Sequence, residues 1–583
     1  MTRRLFEHLR RRWILLTIGL VVVAWGALAA QAFIHAHTEL DHGMRAVDRV
    51  RGQMTPGDLA AGRPIPGLRA ASADFGRAQA SLDGVPLLGV RLLPVLGRQV
   101  HTLSAVAGGA AKVSGVAAGS ISDARSVLSA PSGTLANEAG TVASLAGIAN
   151  RTMAAIRSVP LGPSQGLFSS VAHARRQFAN DLSSLRNGLQ RGITGAAALE
   201  DLFQGTHQYL LFAANNAEMR AGSGMFLSAG VLTTGSTGIS LSPMETVTTI
   251  TVPAGVALTG DLAARWAWLD PNQEWRNLMT SPNFDASAQL ASQMWVASGH
   301  QPVEGVIAID AVALQAVLQA TGPVTVAGRS ISAAGVVDEL LNIQYFRYND
   351  DQTGERREEL ATIADAAFTR LLTGGWTRPV LADGLQQAAQ GRHILAWSAN
   401  GADEAGWKAL GIDGVLHPNS LLLSVLNRGG NKLDDFLKVS SAVSFQRSGR
   451  DTEVTLRLTL DNQVPPGQPF DVIGPDIHSG VGAGVYLGIV TVNMPAAATD
   501  GHFDGVDHLA VAGHDGATEV MGFQLQVAPG MNEVVVAHFL LPGAQGTLDV
   551  EPSARVPATK WTDGTTVWHD VAARAITYRV GAP

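Results

Sequence analysis

Cysteine is absent from the 583-residue chain, so no disulfide, thiolate nucleophile or cysteine-liganded zinc site can form. Lysine occurs at only five positions, and charged residues make up 16% of the chain. The formal net charge is -7, although the first twelve residues hold five arginines against one glutamate, so the remainder is more acidic still. Because nucleic-acid binding needs a surplus of positive charge, no nucleic-acid partner is expected for the bulk of the protein.

The N-terminal segment combines this basic cluster with a long apolar run. The run begins at Trp13 and extends to Phe33, and no charged residue follows until Glu39. Its length matches the hydrocarbon thickness of a bilayer, and arginines before it favour a cytoplasmic N-terminus. The pattern predicts a cytoplasmic tail at 1–12, a single-pass transmembrane helix at 13–34 and an extracellular bulk at a cell membrane. A signal peptide cleaved near "ALAAQA" is the alternative.

The rest of the chain changes its hydrophobic period twice, and its length calls for several domains. Residues 35–200 repeat small apolar residues at helical spacing, which predicts a helical stalk or bundle. Residues 201–438 alternate short apolar runs with helical patterns, which indicates an α/β layered domain. Residues 439–583 alternate apolar and polar residues between turns, which indicates a β-sandwich. The predicted fold class is therefore α+β and multidomain, with an N-terminal transmembrane helix.

The stretch "YLLFAANNAEMRAGSGMFLSAGVL", residues 209–232, places a polar and glycine-rich segment between two apolar strands. Asn215 and Asn216 tolerate unusual backbone angles, and glycines such as Gly224 allow a ligand to approach the backbone closely. Arg220 offers a forked donor for phosphate or carboxylate. Ligand sites of α/β proteins lie at strand ends, so this segment is a candidate site. A structural turn in which Glu218 merely pairs with Arg220 is the alternative.

Four stretches in this order resemble the domain of unknown function 4012 family. They are "YLLFAANNAEMRAGSG", "EGVIAIDAVALQAVLQATGPVTV", "ERREELATIADAAFTRLL" and "NRGGNKLDDFL". The resemblance covers about Tyr209 to Phe436. The family more often has Pro-Thr-Gly-Gly-Phe after its arginine, whereas this chain has Ala-Gly-Ser-Gly-Met at 221–225.

The same region is more distantly similar to the LytR-CpsA-Psr phosphotransferases, which move glycopolymers from polyprenyl diphosphate carriers onto the cell wall. "LLFAANNAEMR" is similar to their strand followed by Asp-Ser-Arg, and "LSPMET" to their Ser-Ile-Pro-Arg-Asp-Thr. "YFRYNDDQTGERREEL" resembles their arginine-rich stretch that holds the diphosphate. This chain has Asn216, Met244 and Glu245 where those enzymes place Asp and Arg, so a carboxylate-held magnesium would be short of ligands.

This similarity implies a clamp for a diphosphate group formed by Arg220, Arg347, Arg356 and Arg357. Glu218 or Glu245 would assist a metal or a proton transfer if the protein is an enzyme, and magnesium is then a candidate cofactor. No metal-ligand set can be named.

Two functions are compatible with the sequence. The first is a bacterial envelope protein that binds an anionic polyprenyl-phosphate-linked glycan and takes part in its transfer to a cell-wall polymer. The second is a non-enzymatic envelope scaffold or adhesion protein. An apolar tunnel beside the arginines would favour the first, and a closed packed core there would favour the second.

Overall fold

The computed structural model describes residues 2–130, 134–236, 238–348, 352–475 and 480–581, with side chains for these residues except 2–22, 136 and 137. The chain divides into two compact units. The first comprises Met1–Ala130 and Thr141–Ile193, and the second comprises Pro131–Gly140 and Thr194–Pro583.

The first unit is helical. Its helices, two of which continue across the unit boundaries, are α1 (Thr2–Arg51), α2 (Pro56–Ala61), α3 (Pro64–Asp83), α4 (Leu88–Arg91), α5 (Leu96–Leu128), α6 (Ala139–Ile156) and α7 (Ser169–Asp201). Helix α3 packs against both α1 and α5. Ala36, Ala71, Ala78 and Ala107 are each at most 1% exposed at these contacts. Small side chains bring the helix axes close together, which explains the thin stripes of alanine and valine in the sequence.

The predicted transmembrane helix at 13–34 is wrong. In the structure α1 is one continuous helix from Thr2 to Arg51, and among the described residues no helix is long and apolar enough to cross a membrane. Two apolar residues near the end of the predicted span, Ala29 and Phe33, pack within the helical unit. Ala29 is buried in a cluster with Leu82, Leu87 and Val90, and Phe33 packs against the same cluster.

The second unit begins with a mixed sheet and its helices. Its strands are β1 (Thr206–Met219), β2 (Gly224–Gly235), β3 (Ser240–Leu241), β4 (Glu245–Thr246), β5 (Gly305–Ile309) and β8 (Ile394–Ser398), in the order β3-β2-β1-β5-β8 with β4 beside β2. A separate hairpin pairs β6 (Val324–Val326) with β7 (Arg329–Ile331). The helices are α8 (Phe284–Ala297), α9 (Ala311–Thr321), α10 (Ala333–Asp338), α11 (Gln344–Arg347), α12 (Thr353–Thr373), α13 (Arg378–Gln390) and α14 (Gly401–Leu410).

Within this sheet β1 pairs with β5 in parallel and with β2 antiparallel, and β5 pairs with β8 antiparallel. Strand β1 is therefore central, and its residues Tyr209, Leu210 and Phe212 are fully buried. Phe212 stacks on Phe226 of β2, with ring centroids 4.4 Å apart. A strand buried on both faces reads as a continuous apolar run, as "YLLFAA" does.

The C-terminal part of the second unit is a sandwich of two six-stranded sheets, ordered β13-β16-β11-β10-β18-β19 and β14-β15-β12-β9-β17-β20. The elements are β9 (Ser420–Asn427), β10 (Leu437–Ser448), β11 (Asp451–Asn462), α15 (Phe470–Ile473), β12 (Tyr486–Pro495), β13 (Thr499–Phe503), β14 (Val511–Asp515), β15 (Thr518–Val527), β16 (Asn532–Leu541), β17 (Gln545–Val550), β18 (Lys560–Thr562), β19 (Val567–His569) and β20 (Arg574–Arg579). Leu423 of β9 shares one core with Leu456 of β11 and Val490 of β12. The sandwich thus includes a strand that precedes residue 439.

Short helical turns complete the second unit. Two are π-helical, at Leu262–Trp266 and Glu339–Ile343. The 3-10 turns of this unit are Leu135–Glu138, Val247–Thr249, Ala267–Leu269, Trp275–Asn277 and Leu433–Asp435. In the first unit, the turn at Val85–Leu87 is also 3-10 helical.

Candidate functional site

The polar segment singled out in the sequence forms the end of the β1–β2 hairpin. Strand β1 continues through Asn215 to Met219, with irregular pairing between these two residues, and Met219 pairs with Gly224. The amide of Arg220 donates to the carbonyl of Ser223 at 2.8 Å, which closes the turn. A Cβ at Gly224 would lie 2.5 Å from the carbonyl group of Asn215. The glycine is therefore required by the close approach of two strands of the protein itself.

Arg220 is 7% exposed, and its guanidinium donates hydrogen bonds to other atoms of the protein. Its Nε donates to the carbonyl of Arg276 at 2.8 Å, and its Nη1 donates to the carbonyls of Met219 and Asn427 at 3.0 and 2.9 Å. Burial lowers the pKa of Arg220 to about 10, and the negative charge of Glu218 opposes that shift. The guanidinium therefore acts first as a tie between three backbone segments.

A buried carboxylate holds the same strand end from the other side. Asp434 accepts the amide of Met219 at 2.9 Å, the hydroxyl of Tyr486 at 2.9 Å and the Nη1 of Arg555 at 2.7 Å. The side chains of Asp434 and Arg555 are 0% and 1% exposed. Asn427 also donates to Asp434, at 3.0 Å. The hairpin end is thus fixed by residues more than 200 positions away in the sequence.

A cavity of about 750 Å³ opens beside this hairpin end. One part of its wall is apolar and comes from β1, β2, β5, α9, α12 and the segments between them; it comprises Ala213, Ala214, Met225, Leu227, Met244, Val247, Ile309, Ala311, Leu314, Leu340, Leu341, Leu360, Ala361 and Ala364. The volume lies within the usual range for small-molecule sites.

The remaining wall is rich in charge. Among the residues that the structure describes, six cations line the cavity together with four carboxylates: Arg220, Arg276, Arg356, Arg357, Arg428 and Lys432, and Glu218, Glu274, Asp310 and Glu358. Of the residues predicted from the sequence, the structure brings five to the cavity, namely Asn215, Glu218, Arg220, Arg356 and Arg357. An apolar wall beside a cationic one suits an amphiphile with an anionic head group.

The central part of the charged wall is built on Tyr345, which is 2% exposed. The guanidinium of Arg356 lies 4.6 Å from its ring centroid and the ammonium of Lys432 lies 5.3 Å from it. Lys432 Nζ also contacts Glu218 Oε1 at 2.8 Å. Burial lowers the pKa of Lys432, but attraction to Glu218 and Tyr345 outweighs it, so the net shift is upward. The lysine is therefore a fixed cation in the wall.

The cations differ in how far they are already neutralised. Arg356 contacts Asp471 at 3.3 Å, and Arg276 donates from Nε to Glu274 at 2.9 Å. Arg357 is exposed and has no ion-pair or hydrogen-bond partner within the described part of the chain. It lies in the first turns of α12, where unbonded backbone amides already favour an anion. Arg357 is the cation that a ligand could engage without breaking another contact.

Asn216 is buried behind the cavity in a polar network. Its Nδ2 donates to Asp310 Oδ2 at 2.8 Å and to the carbonyl of Ala554 at 3.0 Å. His393 Nδ1 also contacts Asp310 Oδ2, at 2.6 Å, and Asp310 Oδ1 caps α9 through Val312. Burial lowers the pKa of His393, but Asp310 and Asp570 raise it by more. Although Asp310 lines the cavity, its oxygens already accept hydrogen bonds from Asn216 and from the first amides of α9.

Two other predicted residues lie outside the cavity lining. Arg347 contacts Glu339 at 2.6 Å and Glu359 at 2.9 Å, in a cluster that Arg329 joins. Glu245 is exposed on β4 and its Oε1 lies 3.6 Å from His300 Nε2. Asp and Glu in the described residues form no group of three or more, with or without histidine, that could hold a metal ion. The roles predicted for Arg347, Glu245 and magnesium stay predictions.

Several wall residues were not singled out from the sequence, chiefly Lys432, Tyr345, Arg276, Arg428 and Asp310. A usable signal existed for three of them. Asp310 and Arg428 directly follow the apolar runs "GVIAI" and "LLLSVLN", Lys432 comes shortly after Arg428, and polar residues after a buried strand often mark a site. Tyr345 lies on the short helix α11 and Arg276 lies in a 3-10 turn, and both segments are too short to carry a periodic pattern. Their position depends on tertiary contacts alone.

The mixed sheet, whose central strand ends at an amphipathic cavity, and its helices form an α/β module that is followed by a β-sandwich. Residues 204–345 match a family model described as "Protein of unknown function (DUF4012)". This match confirms the resemblance to that family for β1 through Tyr345, which includes the hairpin and much of the cavity. No curated protein and no solved structure matches the chain.

Proposed function

We propose that the protein binds an anionic amphiphile whose prenyl-like tail lies on the apolar wall of the cavity and whose phosphate group lies on the charged wall. The observation that carries the proposal is the continuity of the two walls within one cavity of about 750 Å³. A cavity of this volume lies within the usual range for small-molecule ligands, which includes a short prenyl diphosphate or the phosphate-proximal part of a longer carrier.

The charged wall favours a phosphate over a carboxylate ligand because its cations surround the cavity at several positions. Lys432 and Arg356 contact the ring of Tyr345, Arg428 follows β9, and Arg357 lies near the start of α12. A phosphate group presents several acceptor oxygens, so it can contact more than one of these cations at once.

Binding is proposed without a catalytic step. Glu218 is paired with Lys432, and Glu245 lies outside the cavity lining. The transfer of a glycan to a cell-wall polymer and the extracellular placement of the protein stay predictions.

Calorimetric titration with farnesyl diphosphate tests this proposal, with farnesol and inorganic diphosphate as ligands that each lack one half of the amphiphile. We expect farnesyl diphosphate to bind more tightly than either half. Arg357→Gln should weaken its binding by roughly three- to tenfold, because an exposed charge-assisted contact is worth less than a buried one. Leu314→Gln should weaken farnesyl diphosphate but leave inorganic diphosphate unchanged.

Arg370→Gln is the matched control, because Arg370 is an exposed arginine of the same helix α12 outside the cavity lining. Equal affinity for farnesyl diphosphate and for inorganic diphosphate would refute a role for the apolar wall. No binding of either anion would refute the proposal.

A non-enzymatic scaffold is the second candidate function. One observation favours it: Glu218, Glu274 and Asp471 already neutralise Lys432, Arg276 and Arg356. A wall whose charges are mutually paired is also what a structural core requires. If no amphiphile binds, the scaffold becomes the better interpretation.

A further inference from the structure

The connection between α3 and α5 carries an unusual concentration of exposed apolar side chains. We call residues 84–97 the hairpin tip, because they connect the helices α3 and α5; this segment is distinct from the β1–β2 hairpin. Its large apolar residues Val85, Leu88, Leu92, Leu93, Val95 and Leu96 are between 42% and 85% exposed. Exposed apolar residues scattered singly are normal in proteins, whereas a contiguous cluster marks an interaction surface.

The surface continues onto α1. A Cβ at Gly89 would lie 2.7 Å from Cζ2 of Trp25, so the tip and the indole are in close contact. Trp25 is 37% exposed, and Val23 and Leu28 on the same helix are 72% and 53% exposed. One apolar surface is therefore built from two elements, and it includes a tryptophan, a side chain that is enriched where membrane meets water.

The backbone of the hairpin tip is largely satisfied by its own hydrogen bonds. The amides of Leu87, Leu92 and Leu93 donate to Gly84, Gly89 and Val90, and that of Gly97 donates to Leu93. Pro86 and Pro94 carry no amide hydrogen. A segment can enter an apolar phase only when its polar backbone groups are paired, and this segment meets that condition at these positions.

The charges of the hairpin tip are also compensated. Arg91 forms an ion pair with Asp83, which additionally accepts the hydroxyl of Ser104 at 2.6 Å. Ahead of the exposed residues of α1 the sequence carries five arginines within residues 3–12, and a run of this kind attracts anionic lipid headgroups. The apolar surface and the basic run together fit a lipid surface better than a protein partner, because neither requires a complementary shape.

We propose that the hairpin tip docks on the surface of a lipid bilayer that contains anionic headgroups. The contact involves one leaflet only and needs no helix that crosses the bilayer. It is independent of the ligand cavity, so it stands or fails without the proposed function.

The absence of cysteine allows a direct test in the 583-residue chain. Leu92→Cys, labelled with a nitrobenzoxadiazole dye, reports whether the tip leaves water. With vesicles of phosphatidylcholine and phosphatidylglycerol we expect at least a twofold rise in emission and a shift to shorter wavelength. Val571→Cys, labelled in the same way, is the matched control, because Val571 is 60% exposed in the second unit.

Unchanged emission at position 92 in the presence of vesicles overturns the proposal, whether or not the protein sediments with them. A rise that occurs without vesicles and grows with protein concentration also overturns it, because a second copy of the chain would then cover the tip. Dye at Val85→Cys should lose its response when Leu92→Glu and Leu93→Glu are added. An unaltered response there would show that the leucines do not carry the contact.

Discussion

Arg220 and Arg357 were predicted from the sequence to clamp the same anion, but the structure gives them different environments. Arg220 is buried and bonded to three backbone carbonyls, whereas Arg357 is exposed at the cavity and lacks a partner among the described residues. The hairpin side of the cavity is therefore a rigid support, and the α12 side offers a cation for a ligand. An arginine at a strand end can therefore stabilise the fold without being available to a ligand.

The largest expected effect is a loss of stability on the hairpin side of the cavity. Asp434→Ala leaves the guanidinium of Arg555 buried without its carboxylate, in a site where both side chains are at most 1% exposed. We expect the free energy of unfolding to fall by about 3–5 kcal/mol, as measured by urea denaturation. Asp507→Ala, at an exposed position, should have almost no effect. Comparable stability of the two variants would contradict the role assigned to Asp434.

Arg220→Ala should produce the next largest effect. It leaves the carbonyls of Met219, Arg276 and Asn427 without their donor, so we expect a loss of about 3 kcal/mol in unfolding free energy. Arg220→Lys should recover only part of it, because an ammonium cannot reach three acceptors with the geometry of a guanidinium. Arg450→Ala is the exposed control. If a variant at position 220 kept wild-type stability and lost only ligand affinity, Arg220 would be a ligand-binding residue and not a structural one.

Glu218→Gln sharpens the comparison by changing charge on the cavity wall. The substitution removes the carboxylate that neutralises Lys432, so we expect the affinity for farnesyl diphosphate to rise by about fivefold, equivalent to ~1 kcal/mol. Calorimetric titration measures this change. Glu355→Gln removes an exposed charge from α12 outside the cavity lining and should leave the affinity unchanged. A decrease with Glu218→Gln would instead indicate that the carboxylate itself contacts the ligand.

The smallest expected effect concerns pH. The pKa of His393 is raised in the folded state, so its ion pair with Asp310 stabilises the protein fully below the ordinary histidine pKa of about 6.5 and loses that contribution as pH rises through the higher folded value. His393→Gln should flatten the dependence of the melting temperature on pH above about 6.5. His569→Gln, at an exposed position, should keep the wild-type dependence. Parallel curves for wild type and His393→Gln would refute this coupling.

The sequence was informative where a pattern is local. Helical spacing predicted helices within residues 35–200, where α5 and α6 lie, and "YLLFAANNAEMR" contains both strand residues of β1 and the cavity-lining residues Asn215, Glu218 and Arg220. Local pattern failed at the N-terminus, where an apolar run predicted a membrane span but Ala29 and Phe33 pack in the helical core. Apolar composition alone does not distinguish burial in lipid from burial against other helices.

The partners of each charge could not be predicted because they depend on distant contacts. Arg220 meets Asn427 across 207 positions, and Met219 meets Asp434 across 215. Arg347 belonged to an arginine-rich stretch, yet its position on α11 directs it to Glu339 and Glu359. Residue type indicated which side chains could bind an anion, and only tertiary structure distinguished those that are already engaged.

The hydrogen bonds that fix the end of the β1–β2 hairpin also determine which segment of the chain could fold by itself. The family match ends at residue 345, but the end of the β1–β2 hairpin depends on Asn427, Asp434 and Arg555. Excision of 204–345 would leave the amide of Met219 and the guanidinium of Arg220 without several of their native partners. The segment that matches the family model is therefore not expected to fold by itself. A shortened form of the protein that keeps the hairpin end intact must also include the β-sandwich.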